Sequence, residues 1–137
     1  MSLNRHQIRE AAFQTLFALA SNPEASRDAL YQQVLSNWQE DQDDVPAYLV
    51  TLVDGVLDKQ ADLNEQIGKY LKKTWSIQRL SRTNRIILEI AFFEIDEVSE
   101  VPGKVAVNEA LELAKKYADE TSKNFINGVL SSKLDEA

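Results

Sequence analysis

Polar side chains crowd one aromatic ring near the end of this sequence. Ser122, Lys123, Asn124, Phe125 and Asn127 fall within six consecutive positions. A ring that stacks on a base, flanked by amides and hydroxyls that read its edges, suits a single-stranded nucleic acid. From the residues alone Phe125 fits a core position as well as an exposed one. Asn127, just before Gly128, can bond a base or simply lock a helix corner. Two basic groups add to this. Arg5 and Arg9 lie four apart beside His6, so one helix face can offer both arginines to a phosphate backbone; a basic chain end with no partner is the plainer reading. Between Lys69 and Arg85 there are six bases and no acid, among them Arg79 and Arg82. Lys115 and Lys116 are candidate phosphate contacts, although lysines on a helix surface are usually just solvated.

Catalytic chemistry is poorly supplied. The four glycines are scattered, and none builds a phosphate-cradling loop. His6 is the single histidine, so a nucleophile triad would have to recruit it from the chain's beginning. Glu109 and Glu112 lie at i,i+3, but two carboxylates without histidine make a weak metal site. There is no cysteine for a disulfide or a thiolate-bound zinc. The expectation is a protein that is not an enzyme and needs no cofactor or metal.

The 137 residues are 44% hydrophobic and 27% charged, enough for one domain over 1–137 with a core of its own. No apolar run approaches the roughly 20 residues of a membrane span. The polar start MSLNRHQIRE is unlike a signal peptide, so a cytoplasmic protein is expected. A net charge of −7 argues against a generic phosphate binder. Its distribution softens that objection, because the acids gather in Glu40–Asp44 and Asp96–Glu100, away from the basic runs. Such polarity fits RNA on one side and a basic protein on the other, or only a solvated charged surface.

The elements that must position these groups read as helices. Asn4 or Ser2 can cap a first helix striped by Ile8, Ala12, Leu16 and Leu19, ending before Asn22-Pro23. Ser26 can cap a second, with Leu30, Val34, Leu35 and Trp38 inward, before the polar run Gln39 to Asp44. Pro46 opens a third, with Asp44 as a possible cap, through Leu49, Leu52, Val53, Val56 and Leu57. Gly55 within it suggests close helix packing. Leu63, Ile67, Tyr70 and Leu71 either continue that helix, bent, or form a fourth. Trp75 leads into the basic segment, with Ser76 or Ser81 as caps. Asn84 to Ile95 is apolar nearly all round, and Arg85, Glu89 and Glu94 interrupt it at helical intervals, which predicts a central helix. After a loop at Val98 to Gly103, one helix carries Val107, Ala110, Leu111, Ala114, Tyr117 and Ala118. The last carries Ile126, Val129, Leu130 and Leu134, with a polar corner between the two. The fold class is all-α, with about seven helices.

The stretch VPGKVAVNEALELAKKYADETSKNFINGVL resembles the C-terminal signature of the NusB family. IREAAFQTLFAL, LVDGV at Leu52 to Val56 and NRIILEIAFFEI at Asn84 to Ile95 follow the family's order and spacing, so the likeness covers essentially the whole chain. It implies two small three-helix bundles packed across each other. It further implies transcription antitermination: binding of the boxA element of ribosomal RNA transcripts together with NusE, a small-subunit ribosomal protein, and entry into the assembly of Nus factors on RNA polymerase. For single residues it implies RNA contact by Arg5, His6 and Arg9, though many members are richer in arginine there. It implies the same for Arg79, Arg82, Lys116, Ser122, Asn124, Phe125 and Asn127. Phe17 falls where the family has an aromatic near the partner or RNA surface, with Phe13 its rival for the buried position. Asn84 stands where many members have an acid. If that acid pairs with the basic partner, one charge-assisted contact is lost here. Two alternatives stand beside this one. A NusB-like domain also precedes a methyltransferase in certain ribosomal RNA-modifying enzymes, but no SAM-binding segment follows before Ala137. A helical protein–protein adaptor without RNA contact is the other.

Overall fold

The computed structural model describes residues 3–38, 44–71 and 77–135. Among them are seven α-helices and no strand: α1 Arg5–Ser21, α2 Arg27–Leu35, α3 Ala47–Asp58, α4 Gln60–Gly68, α5 Arg82–Glu97, α6 Gly103–Tyr117 and α7 Glu120–Asp135. Single 3₁₀ turns follow α2 (Ser36–Trp38) and precede α5 (Ile77–Arg79). Ser2, Gln39 to Asp43, Trp75 and Ser76, each named from the sequence, lie outside the described residues, as do Lys72 and Lys73 of the basic run. By contacts the chain divides into two units, Met1–Gly55 and Val56–Ala137, and the boundary falls inside α3.

In the first unit α1 packs on α2. Asn4 caps α1 in a full capping box with Gln7: its side chain accepts the Gln7 N–H at 2.8 Å, and Gln7 Oε1 accepts the Asn4 N–H at 3.0 Å. Ile8, Ala11, Ala12, Phe13, Leu16 and Leu19 are buried. Arg9 and Glu10 are buried as well, which the stripe did not anticipate. Ser26 caps α2 as expected, accepting the Ala29 N–H at 3.3 Å. Its inner side is Tyr31, Val34 and Leu35, with Leu30 and Trp38 only half-buried. The buried residue there is thus the tyrosine rather than its leucine neighbour. Burial, with Asp54 close by, pushes the Tyr31 phenol up to about 12. An Arg27–Asp54 ion pair at 2.6 Å ties the start of α2 to α3, but both partners are well exposed, so it adds little.

In the second unit the apolar α5 is central, packing on α4, α6 and α7. Ile87, Leu88 and Phe92 are fully buried. Ser81 is its cap, accepting the Asn84 N–H at 3.0 Å. α4 is a separate helix, set off from α3 by Lys59, whose φ of −108° and ψ of 15° leave the helical range. It stops at Gly68, so Tyr70 and Leu71 lie in the turn beyond it, and the Tyr70 ring meets Phe92 edge-on with centroids 5.8 Å apart. The buried face of α6 is Ala106, Val107, Ala110, Leu113 and Ala114, rotated from the expected stripe so that Leu113 replaces Leu111. α6 begins at Gly103, where a β-carbon would lie 2.7 Å from Leu134 Cδ2; the missing side chain lets the end of α7 approach. Lys133 on α7 reaches Asp96 on α5 at 2.8 Å and stands 5.2 Å above the Phe92 ring. Lys59 pairs likewise with Glu97.

Candidate nucleic-acid interface

The bend between α6 and α7 is tighter than the expected polar corner. α6 ends at Tyr117, Ala118 is extended, and Asp119 stands just before α7 with its carboxylate accepting the Ser122 N–H at 2.8 Å. Ser122, Asn124, Phe125 and Asn127 are therefore residues of the first turns of α7 and not of a loop. Helix geometry then sorts them. Residues three and four apart share a face, so Thr121, Ser122, Asn124, Phe125, Gly128, Val129 and Ser132 form one wall of a cavity of about 630 Å³. Asn127 sits two residues on from Phe125, about 200° round the helix, and is exposed outside that wall.

The opposite wall comes from the start of α5 and the 3₁₀ turn before it: Arg79, Leu80, Ser81 and Asn84, with Tyr70 closing one side. Asn84 on α5 and Ser122 on α7 are joined across the cavity, Asn84 Nδ2 donating to Ser122 Oγ at 3.1 Å. The backbone N–H and hydroxyl of Ser122 together hold the Asp119 carboxyl below the usual range. Phe125 is half-buried, neither sealed in the core nor fully free of it, while Ile126 and Leu130 take the core positions. Arg79 is exposed at the cavity's rim.

Other sequence candidates fall elsewhere. Arg82 and Lys116 are exposed but do not line the cavity; the Lys116 ammonium lies 5.7 Å from the Tyr117 ring. In the first unit Arg5 and His6 are exposed, and the Arg5 guanidinium lies 3.6 Å above the Tyr48 ring. Arg9 is only 3% exposed, so the pair expected to share an open face does not do so. Phe17 is half-buried beside the buried Phe13, their rings tilted at 6.0 Å. That leaves Phe13 as the core residue of the pair. Sequence reasoning missed Tyr70, Thr121 and Ser132 in the cavity wall and Asp119 behind it. Asp119, three residues before Ser122, carried an N-cap signal that could have fixed the start of α7. Among the described residues no three potential metal ligands gather, and no helix is long and apolar enough to cross a membrane.

The seven helices of the described residues make this an all-α protein, and its cavity offers hydroxyls, amides, an arginine and aromatic rings, groups of the kind that hold a nucleic acid. Comparison with known proteins narrows this. A model of the NusB family matches residues 6–135, and the chain belongs to that family. The transcription antitermination protein NusB of Levilactobacillus brevis is 55% identical over 136 residues, spanning 99% of this chain and 96% of that one. T. maritima NusB superposes with a TM-score of 0.83 at 28% identity, covering 96% of this chain and 91% of the other. A crystal structure of the antitermination factors NusB and NusE in complex with dsRNA gives 0.83 at 27% identity, covering 97% of each.

Proposed function

We propose that this chain is a transcription antitermination factor, acting as one domain over residues 1–137 in the cytoplasm. It binds the boxA element of nascent ribosomal RNA with NusE and then joins the other Nus factors on RNA polymerase. The observation that carries the RNA reading is the cavity between α5 and α7, where Phe125, Ser122, Asn124, Asn84 and Arg79 converge on one space of about 630 Å³, roomy enough to admit a base. Stacking on a ring with hydrogen bonds to base edges is how single strands are held. Arg5 and His6, rather than the buried Arg9, meet the sugar-phosphate backbone, and Arg82, Lys116 and Asn127 extend the contact outside the cavity. Phe17 faces the protein partner. The solved complex of related factors with RNA supports the partner and ligand classes together.

The test is a filter-binding titration of boxA RNA against wild type, Phe125→Ala and Arg5→Ala, with and without NusE. Wild type binds, both variants bind more weakly, and NusE tightens all three. An adaptor that never touches RNA gives no signal in any arm, and that result ends the proposal.

A further inference from the structure

Behind the side of the cavity that Tyr70 closes, the ends of three helices meet around one cation. Lys133, in the last turn of α7, has a side chain only 14% exposed. Its ammonium donates to both carboxylate oxygens of Asp96 on α5, at 2.8 and 3.1 Å. It reaches Gln66 Oε1 in the last turn of α4 at 3.4 Å, and it stands over the face of Phe92. Phe92 is fully buried, and the same ring meets Tyr70 edge-on. Tyr70 itself lies outside any helix, its N–H donating to the Ile67 carbonyl at 3.0 Å. It is half-buried and lines the cavity, as does Ser132, the neighbour of Lys133.

A lysine ordinarily keeps its ammonium in water and lays only its stem on apolar surface. Here the ammonium is withdrawn, and a carboxylate, an amide oxygen and a ring offset the loss of hydration. Its charge is thus taken up within the protein and is not offered to a phosphate. What the arrangement does instead is pin α4, α5 and α7 at one point, next to a cavity-lining ring that no helix holds. A residue in a turn keeps its ring in one place only where something packs against it, and Phe92 supplies that packing. Resting on the RNA reading of the cavity, we propose that Tyr70 is a second aromatic contact for an RNA base, beside Phe125. Lys133 is its positioning residue, acting through Gln66 and Phe92. A single strand entering the cavity then has two rings to stack on, and every base offers a face to either.

A double-mutant cycle tests this, with boxA RNA titrated in the presence of NusE against wild type, Tyr70→Ala, Lys133→Met and the double variant, each also melted thermally. Tyr70→Ala should weaken RNA binding by roughly five- to hundredfold, and Lys133→Met by roughly two- to thirtyfold. In the Tyr70→Ala background Lys133→Met should change the affinity no further, because the ring it positions is gone. The dependence of binding on salt should be the same with Met at 133 as with lysine, since no phosphate contact is lost. If Lys133→Met melts too low to titrate, Asp96→Asn, which loosens the same cation and leaves it in place, takes its part in the cycle. Wild-type affinity in Tyr70→Ala overturns the proposal and leaves the RNA reading intact. So does a lowered melting temperature in Lys133→Met with RNA affinity unchanged, which makes the cluster a stabilising one alone. Losses that multiply in the double variant, or a shallower salt dependence in Lys133→Met, overturn the positioning role. Loss of NusE binding in Tyr70→Ala moves that residue to the protein interface and overturns the base contact. No RNA bound by wild type, even with NusE, overturns the proposal and the reading beneath it together.

Discussion

Phe125 carries most of the consequence at the scale of single residues. A base stacked on an aromatic ring loses about 1–3 kcal/mol of binding when the ring is removed. Phe125→Ala should therefore weaken RNA binding by that amount in a titration. Thermal stability should change little, because Ile126, Val129 and Leu130 hold the core side of α7. The opposite pattern, a collapsed melting temperature with RNA binding retained, makes the ring a core residue. Part of this site could be read in the sequence, since Ser122, Asn124 and Phe125 stand within four positions, although they read there as a polar corner between helices and not as one face of α7. What could not be read is the company they keep. Asn84 and Arg79 lie about forty residues away in the chain and come to the same cavity only because α5 packs on α7. Arg9 was misjudged for a related reason: spacing tells which residues share a face, but not which part of that face another element covers.

At the scale of elements, α5 was legible because its apolar residues leave almost no polar face. Ile90 is 2% exposed, and Ile90→Asp should unfold the unit, since a carboxylate there would be buried without a partner. A soluble, helical product by circular dichroism would refute the central placement of α5. Glu89 and Glu94, however, looked like markers of helical periodicity and prove to be buried. Likewise the division of α3 from α4 turns on one residue, Lys59, and the burial of Leu113 over Leu111 depends on neighbours that a single stripe does not reveal. Glu89 has a measurable consequence. Burial pushes its carboxyl from 4.5 up to about 7, against the opposing pull of Gln60, Arg85 and Asn64. The folded state holds this proton more tightly than the unfolded chain. The group's contribution to stability is thus most favourable below the unfolded value, falls as pH rises toward 7, and levels off above it. Denaturant melts at pH 5 and pH 8 should differ in that sense. Glu89→Gln, which can still accept from Gln60, should flatten the dependence and be the more stable form at pH 8, by on the order of 3 kcal/mol. Unchanged pH dependence in the variant would remove Glu89 as its source.

The scale of the whole molecule is governed by charge. At −7 the chain repels phosphate at long range, so RNA must be held by local cations and by stacking. The exposed cations proposed for contact are Arg5, Arg79, Arg82 and Lys116. If each neutralises one phosphate of a single strand, log affinity should fall with log salt at a slope of roughly 2–3. A base-stacking component insensitive to salt would lie beneath it. A basic partner changes both quantities. NusE would bring positive surface that this chain lacks, so its addition should raise boxA affinity and steepen the salt slope, because more phosphates are then neutralised. Titrations at several salt concentrations, with and without NusE, measure the two effects separately. A rise in affinity at constant slope would mean that NusE orders the RNA surface rather than adding cations to it. If the isolated chain binds boxA as tightly as the pair does, the acidic protein needs no help, and the electrostatic reason for a two-protein complex disappears.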